Sequence, residues 1–159
     1  MSWRSRPSAW GLVLAATLAA PADAAAQGWR ETQLGVAGVL SRPAVSLAGA
    51  GLAWRDRGRT RVGWVALLGS DENGGLVGRA ELAYHFLLDP AKRLGNGVYT
   101  GGGVAVAVSE GRARPFLMLV VGVENSPAGR RGTFIEVGVG GGLRAAVGMR
   151  WRKQNAPGR

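Results

Sequence analysis

The sequence predicts an all-β fold, an eight-stranded antiparallel up-and-down β-barrel, and three observations predict it. Eight runs after residue 27 alternate large apolar residues with small or charged ones at period two. Seven turn-rich links join those runs. No stretch in the same region keeps a 3.6-residue apolar stripe for three turns, and glycine, 27 residues of 159, recurs too often for helix.

The first segment stands apart from the barrel. Arg4 and Arg6 precede the apolar run Trp10–Ala20, Pro21 breaks it, and Ala24-Ala25-Ala26 supplies small residues. This is the layout of a secretory signal peptide, residues 1–26, with cleavage expected after Ala26. The run is too short for a spanning helix, and Pro21 and Asp23 interrupt it. Residues 27–152 are the expected β-barrel domain and residues 153–159 a polar C-terminal tail.

The runs follow in order. In the first, Leu34, Val36 and Leu40 oppose Glu31, Gln33, Gly35 and Ala37. The second, Ala44–Trp54, is ambiguous in phase. The third sets Val62, Trp64, Ala66 and Leu68 against Arg61 and Gly63. The fourth alternates best, with Leu76, Leu82, Tyr84 and Phe86 on one face and Val77, Arg79, Glu81, Ala83 and His85 on the other. The fifth sets Val104, Val106 and Val108 against Gly101, Gly103 and Ala105. The sixth, Phe116–Glu124, is apolar on both faces. The seventh opposes Ile135, Val137 and Val139 to Phe134, Glu136 and Gly138. The eighth opposes Leu143, Ala145, Val147, Met149 and Trp151 to Arg144, Ala146, Gly148 and Arg150. The links, such as Ser41-Arg42-Pro43, Asp71–Gly75 and Glu110-Gly111, carry turn residues.

Composition narrows the chemistry. The chain has no cysteine, which excludes disulfides, thiolate zinc sites, a cysteine nucleophile and lipid on an N-terminal cysteine. His85 is the single histidine, so a multi-histidine metal site is excluded. Gly101-Gly102-Gly103 and Gly140-Gly141-Gly142 lack the Lys-Ser/Thr of a phosphate-binding loop, and no βαβ unit frames a dinucleotide fingerprint. No cofactor, metal or catalytic group is expected. The formal charge of +10 invites nucleic acid, but the signal peptide removes the chain from that compartment and no recognition helix exists. His85 beside Glu81 is the seed of a minor alternative, a barrel hydrolase acting on outer-membrane lipid; no serine neighbours it in sequence.

The two faces decide the solvent. A soluble barrel dresses its outside with polar side chains, whereas the polar face here is mostly Gly and Ala with isolated Arg, Glu, Gln and His. Those residues suit the narrow lumen of eight strands, and Leu, Val, Ile, Met and Trp suit acyl chains. A lumen polar network is therefore expected from Glu31, Arg61, Arg79, Glu81, His85, Glu136, Arg144 and Arg150. Its acids and bases must pair, because an unpaired buried charge is expensive. A third-to-fourth hairpin centred on Glu72 puts Glu81 diagonal to Arg61; one centred on Asn73 puts Arg61 opposite His85. Closure of strand 8 on strand 1 is expected to bring Arg150 to Glu31. Trp29, Trp54, Tyr84, Phe86 and Trp151 are the expected interfacial aromatics at the end carrying the termini, while the phases of Tyr99 and Phe134 send them inward. Arg55, Arg57, Arg59, Lys92, Arg93, Arg130, Arg131, Arg152 and Lys153 form a basic rim there, fit for anionic headgroups. Phe116 is the girdle candidate at the other end.

The signal peptide, the eight alternating runs and the closing Ala146-Val147-Gly148-Met149-Arg150-Trp151 resemble the small eight-stranded outer-membrane β-barrel proteins of bacteria. In that family the last strand ends in alternating apolar residues and an aromatic that the outer-membrane assembly machinery reads, a pattern Val147, Met149 and Trp151 match. The resemblance implies a transmembrane barrel in the outer membrane, in contact with membrane lipids and monomeric. The chain departs from the family in its tail, Arg152–Arg159, and in its short outer links, at 41–43, 70–75, 109–114 and 140–142, which weigh against adhesion or receptor roles. The expected function is a non-enzymatic structural role in the envelope. The alternatives are a soluble periplasmic barrel binding an apolar ligand and a narrow gated channel.

Overall fold

The computed structural model describes residues 28–56 and 58–154; the expected signal peptide, Arg57 and residues 155–159 lie outside them. Eight strands follow one another: β1 (Trp29–Leu40), β2 (Val45–Arg55), β3 (Thr60–Asp71), β4 (Leu76–Leu87), β5 (Asn96–Ser109), β6 (Arg112–Asn125), β7 (Arg131–Val139) and β8 (Leu143–Gln154). Each pairs antiparallel with its neighbour, and β1 pairs with β8, so the sheet closes as an up-and-down barrel with no free edge.

Alternation fixes the faces throughout. Leu82, Tyr84, Ile135, Val137, Val147 and Met149 point outward and are exposed, while Arg79, Glu81, His85, Glu136, Arg144 and Arg150 are buried within. The two ambiguous runs resolve in the same way. In β2 the odd positions Leu47, Gly51, Ala53 and Arg55 are buried; in β6 the even positions Met118, Val120, Gly122 and Glu124 are buried, and Leu117 outside is 83% exposed. Val108 departs from the expectation drawn from Val104 and Val106. It is buried, beside Gly78 and Ala113 in the ladders.

The turns set the registers. Glu110 and Gly111 form a two-residue loop with φ of 50° and 73°, the left-handed pair whose twist suits a tight hairpin. This lets β5 and β6 extend further than the sequence suggested, pairing Ser109 with Arg112. The β3–β4 hairpin centres on Asn73, which sets Arg61 opposite His85. β8 runs on to Gln154, so Lys153 and Gln154 belong to the strand and not to a tail.

Candidate functional site

The interior is the chemically distinctive part of the molecule, and every strand contributes to it. Arg79 on β4 donates from Nε to Glu81 Oε1 at 2.6 Å. Arg144 on β8 reaches the same carboxylate with two donors, Nε to Oε1 and Nη2 to Oε2, each at 2.9 Å, a bidentate fork. Its Nη1 donates to Glu136 Oε1 on β7. Glu136 Oε2 accepts the Tyr99 hydroxyl at 3.0 Å and lies 3.7 Å from His85 Nε2. The Tyr99 oxygen in turn accepts Arg150 Nη2 at 3.2 Å.

Arg150 carries the network on towards the termini. Its Nη1 donates to Glu124 Oε2 at 2.7 Å and its Nε to Gln33 Oε1 at 3.0 Å. Glu124 Oε2 also accepts Arg61 Nη1 and Arg152 Nη2, each at 2.9 Å. Arg152 Nε and Arg61 Nη1 close on Glu31 at 3.1 and 3.4 Å. Arg55 stands 4.0 Å from Glu31 and donates to the backbone oxygens of Pro127 and Pro90, in the two longer turns at that end. A continuous chain of ion pairs, bridged at Tyr99 by hydrogen bonds, thus runs from Arg79 to Arg55.

Aromatic rings pack within this chain. The guanidinium carbon of Arg61 lies 4.7 Å and that of Arg150 5.1 Å from the Tyr99 ring centre, and Arg150 also lies 4.1 Å from that of Phe134. His85 meets Tyr99 edge to face at 5.3 Å. Each ring lies over a glycine on the next strand, Tyr99 over Gly122 and Phe134 over Gly148. A Cβ at Gly148 would stand 2.8 Å from the Phe134 ring, and one at Gly122 would collide with Cζ of Tyr99.

All eight residues predicted for the lumen are buried there. Some of their partners differ from expectation. β8 pairs with β1 so that Glu31 faces Arg152 and Gln33 faces Arg150, two residues from the expected closure. A slip of two keeps every side chain on its own face, so the phase was right and the partner was not. Arg55 and Arg152, expected in the basic rim, are buried in the lumen, and Glu124, Tyr99 and Gln33 complete the network. Phe116 is not a girdle residue, because it shares the inward face of β6 with Met118 and lines the barrel mouth. Of the interfacial aromatics, Trp54, Tyr84, Phe86 and Trp151 lie on the outer face towards the terminal end; Trp29 falls in phase with Glu31 and is half-buried. His85 lies nearest Glu136, at 3.7 Å, and not beside Glu81.

Fold and interior together define a class, the closed eight-stranded antiparallel barrel with a charged, side-chain-lined core and an apolar outer wall. Among solved structures the chain is similar to the N-terminal β-barrel domain of Pseudomonas aeruginosa OprF, with a TM-score of 0.67 and 10% identity, covering 80% of this chain and 100% of that one. That likeness is one of fold. No protein-family model matches the chain, and no curated relative is detectably similar.

Proposed function

We propose that this chain is an exported outer-membrane β-barrel with a non-enzymatic, structural role in the envelope, its lumen closed by the ion-pair network. The observation that carries the reading is the inverted polarity of the barrel. Leu82, Leu117, Ile135 and Val137 stand at least half exposed on the outside, while six arginines and four glutamates are buried among the described residues inside. In water that outer wall is an aggregation hazard; against acyl chains it costs nothing. Trp54, Tyr84, Phe86 and Trp151 suit a headgroup interface, and Trp151 on the closing strand suits reading by the assembly machinery.

A plugged lumen fits better than a channel. The void amid Arg61, His85, Glu136 and Arg150 measures about 40 Å³, room for a few waters and not for a hydrated ion path. His85 packs edge to face on Tyr99 and lies 3.7 Å from Glu136, with no serine hydroxyl among the described residues bonded to it, which supports a structural over a hydrolytic role. The test combines cell fractionation, gel mobility before and after heating, and planar-bilayer recording. The expected results are outer-membrane recovery, a compact unheated band and no steady conductance. Recovery in the soluble periplasm overturns the membrane placement, and steady ion-selective openings overturn the plug.

A further inference from the structure

At the end opposite the termini the barrel opens into a cavity of about 460 Å³, within the size range of small-molecule sites. Val39, Leu47, Val77 and Phe116 supply the apolar part of its lining, and Arg79 lines it too. Arg42, Arg112 and Arg114 also line it, against Asp71 and Glu110. Asp71 Oδ1 accepts the Asn73 and Gly75 amides at 2.9 and 2.8 Å, and the three arginines outnumber the two acids. The mouth therefore presents a positive field over an apolar wall.

Arg79 has capacity left for a ligand. It is buried, it spends Nε on Glu81, and its Nη2 has no hydrogen-bond partner. Glu81 has little more to offer, because Arg144 holds both of its oxygens. The free Nη2 lies beside the β7–β8 turn, where a Cβ on Gly140 would stand 3.3 Å away, and the adjacent Gly141 lines the cavity. A buried guanidinium nitrogen without an acceptor is costly, and a carboxylate is its natural complement.

We propose that this mouth binds a small amphiphilic carboxylate, its headgroup on the Arg79 guanidinium and its short apolar chain against Val39, Leu47, Val77 and Phe116. Arg112 and Arg114, exposed near the opening, raise the local concentration of anions and speed entry. The site belongs to the inside of the barrel, so it stands or falls independently of which solvent the outer wall meets.

Purified, isotope-labelled protein in non-ionic detergent is titrated with hexanoate, hexanol and acetate, following the amide signals of Phe116, Gly140 and Gly141. Hexanoate is expected to give saturable shifts, with hexanol and acetate each weaker by roughly tenfold or more. Arg79→Met is expected to weaken hexanoate by a similar factor while the unheated protein keeps its compact band. Ser109→Trp fills the mouth without touching the ion pairs and is expected to remove binding, which keeps the test sound if Arg79→Met does not refold. Equal binding of hexanol reduces the mouth to an apolar pocket, and equal binding of acetate reduces it to a plain anion site. Either result overturns the proposal, as does hexanoate binding unchanged in both variants.

Discussion

Glu81→Gln and Arg79→Met remove opposite ends of one ion pair, and the structure makes their costs unequal. Glu81 accepts three donors, Nε of Arg79 and both Nε and Nη2 of Arg144. A glutamine there has no charge and one acceptor oxygen, so its NH₂ faces a guanidinium donor, Arg79 loses its only counterion and Arg144 is left with Glu136 alone. Removing one partner of a buried pair in this way costs about 3–5 kcal/mol. Arg79→Met works the other way. Among the described residues six buried guanidiniums face four carboxylates, and Arg79 is one whose Nη2 has no acceptor. Its removal leaves Glu81 with the whole Arg144 fork, deletes an orphaned donor and lowers the excess of buried positive charge. The lost charged hydrogen bond, about 1.5–3 kcal/mol, is largely offset, for a net cost of about 1 kcal/mol. Urea unfolding in detergent, followed by tryptophan fluorescence and by loss of the compact gel band, measures both variants. Arg79→Met proving as costly as Glu81→Gln would refute the premise that Glu81 serves two cations and Arg79 only one anion.

Three further outcomes are expected. Leu82→Arg and Val137→Arg, both outward-facing and at least half exposed, should each cost about 2–4 kcal/mol in lipid vesicles, by the same unfolding assay; a neutral result would place that wall in water. Tyr99→Phe should cost about 1–3 kcal/mol, because the hydroxyl both donates to Glu136 and accepts from Arg150 inside the barrel, leaving each short of a partner. Gly122→Leu should yield no compact unheated band at all, since any side chain there occupies the space of the Tyr99 ring.

Much of the barrel was legible because alternation is a local signal. A charged residue in β4 or β8 declares its face through its own neighbours, and Arg79, Glu81, His85, Arg144 and Arg150 all lie where their phase sends them. β6 hid its phase because Met118 and Val120 inside are as apolar as Leu117 and Leu119 outside. The clue was Gly122 with Glu124, a small and a charged residue two apart, as on the inner faces of β2, β3, β4, β7 and β8. Arg55 and Arg152 were misplaced for a different reason. Near the end of a strand, a rim cation and a lumen cation look alike in sequence, and what separates them here is the acceptors waiting inside, Glu31, Glu124 and the carbonyls of the two longer turns.

The pairing was the least legible part, and geometry explains why. Cross-strand neighbours follow from hairpin centres, so the Arg61–His85 juxtaposition was one of two countable possibilities. Several strong contacts skip strands instead: Arg144 on β8 holds Glu81 on β4, Arg150 on β8 holds Glu124 on β6, and Arg61 on β3 reaches Glu124 on β6. These are chords across the lumen. Their lengths depend on how narrowly eight strands close, which makes the interior just wide enough for an arginine to meet a carboxylate on the far wall. Glycine and alanine on the inner face are what allow such chords to pass, so the small residues of β1, β5 and β8 and the long charged ones form one design. Filling the small positions should therefore break ion pairs that the substituted residue never touches.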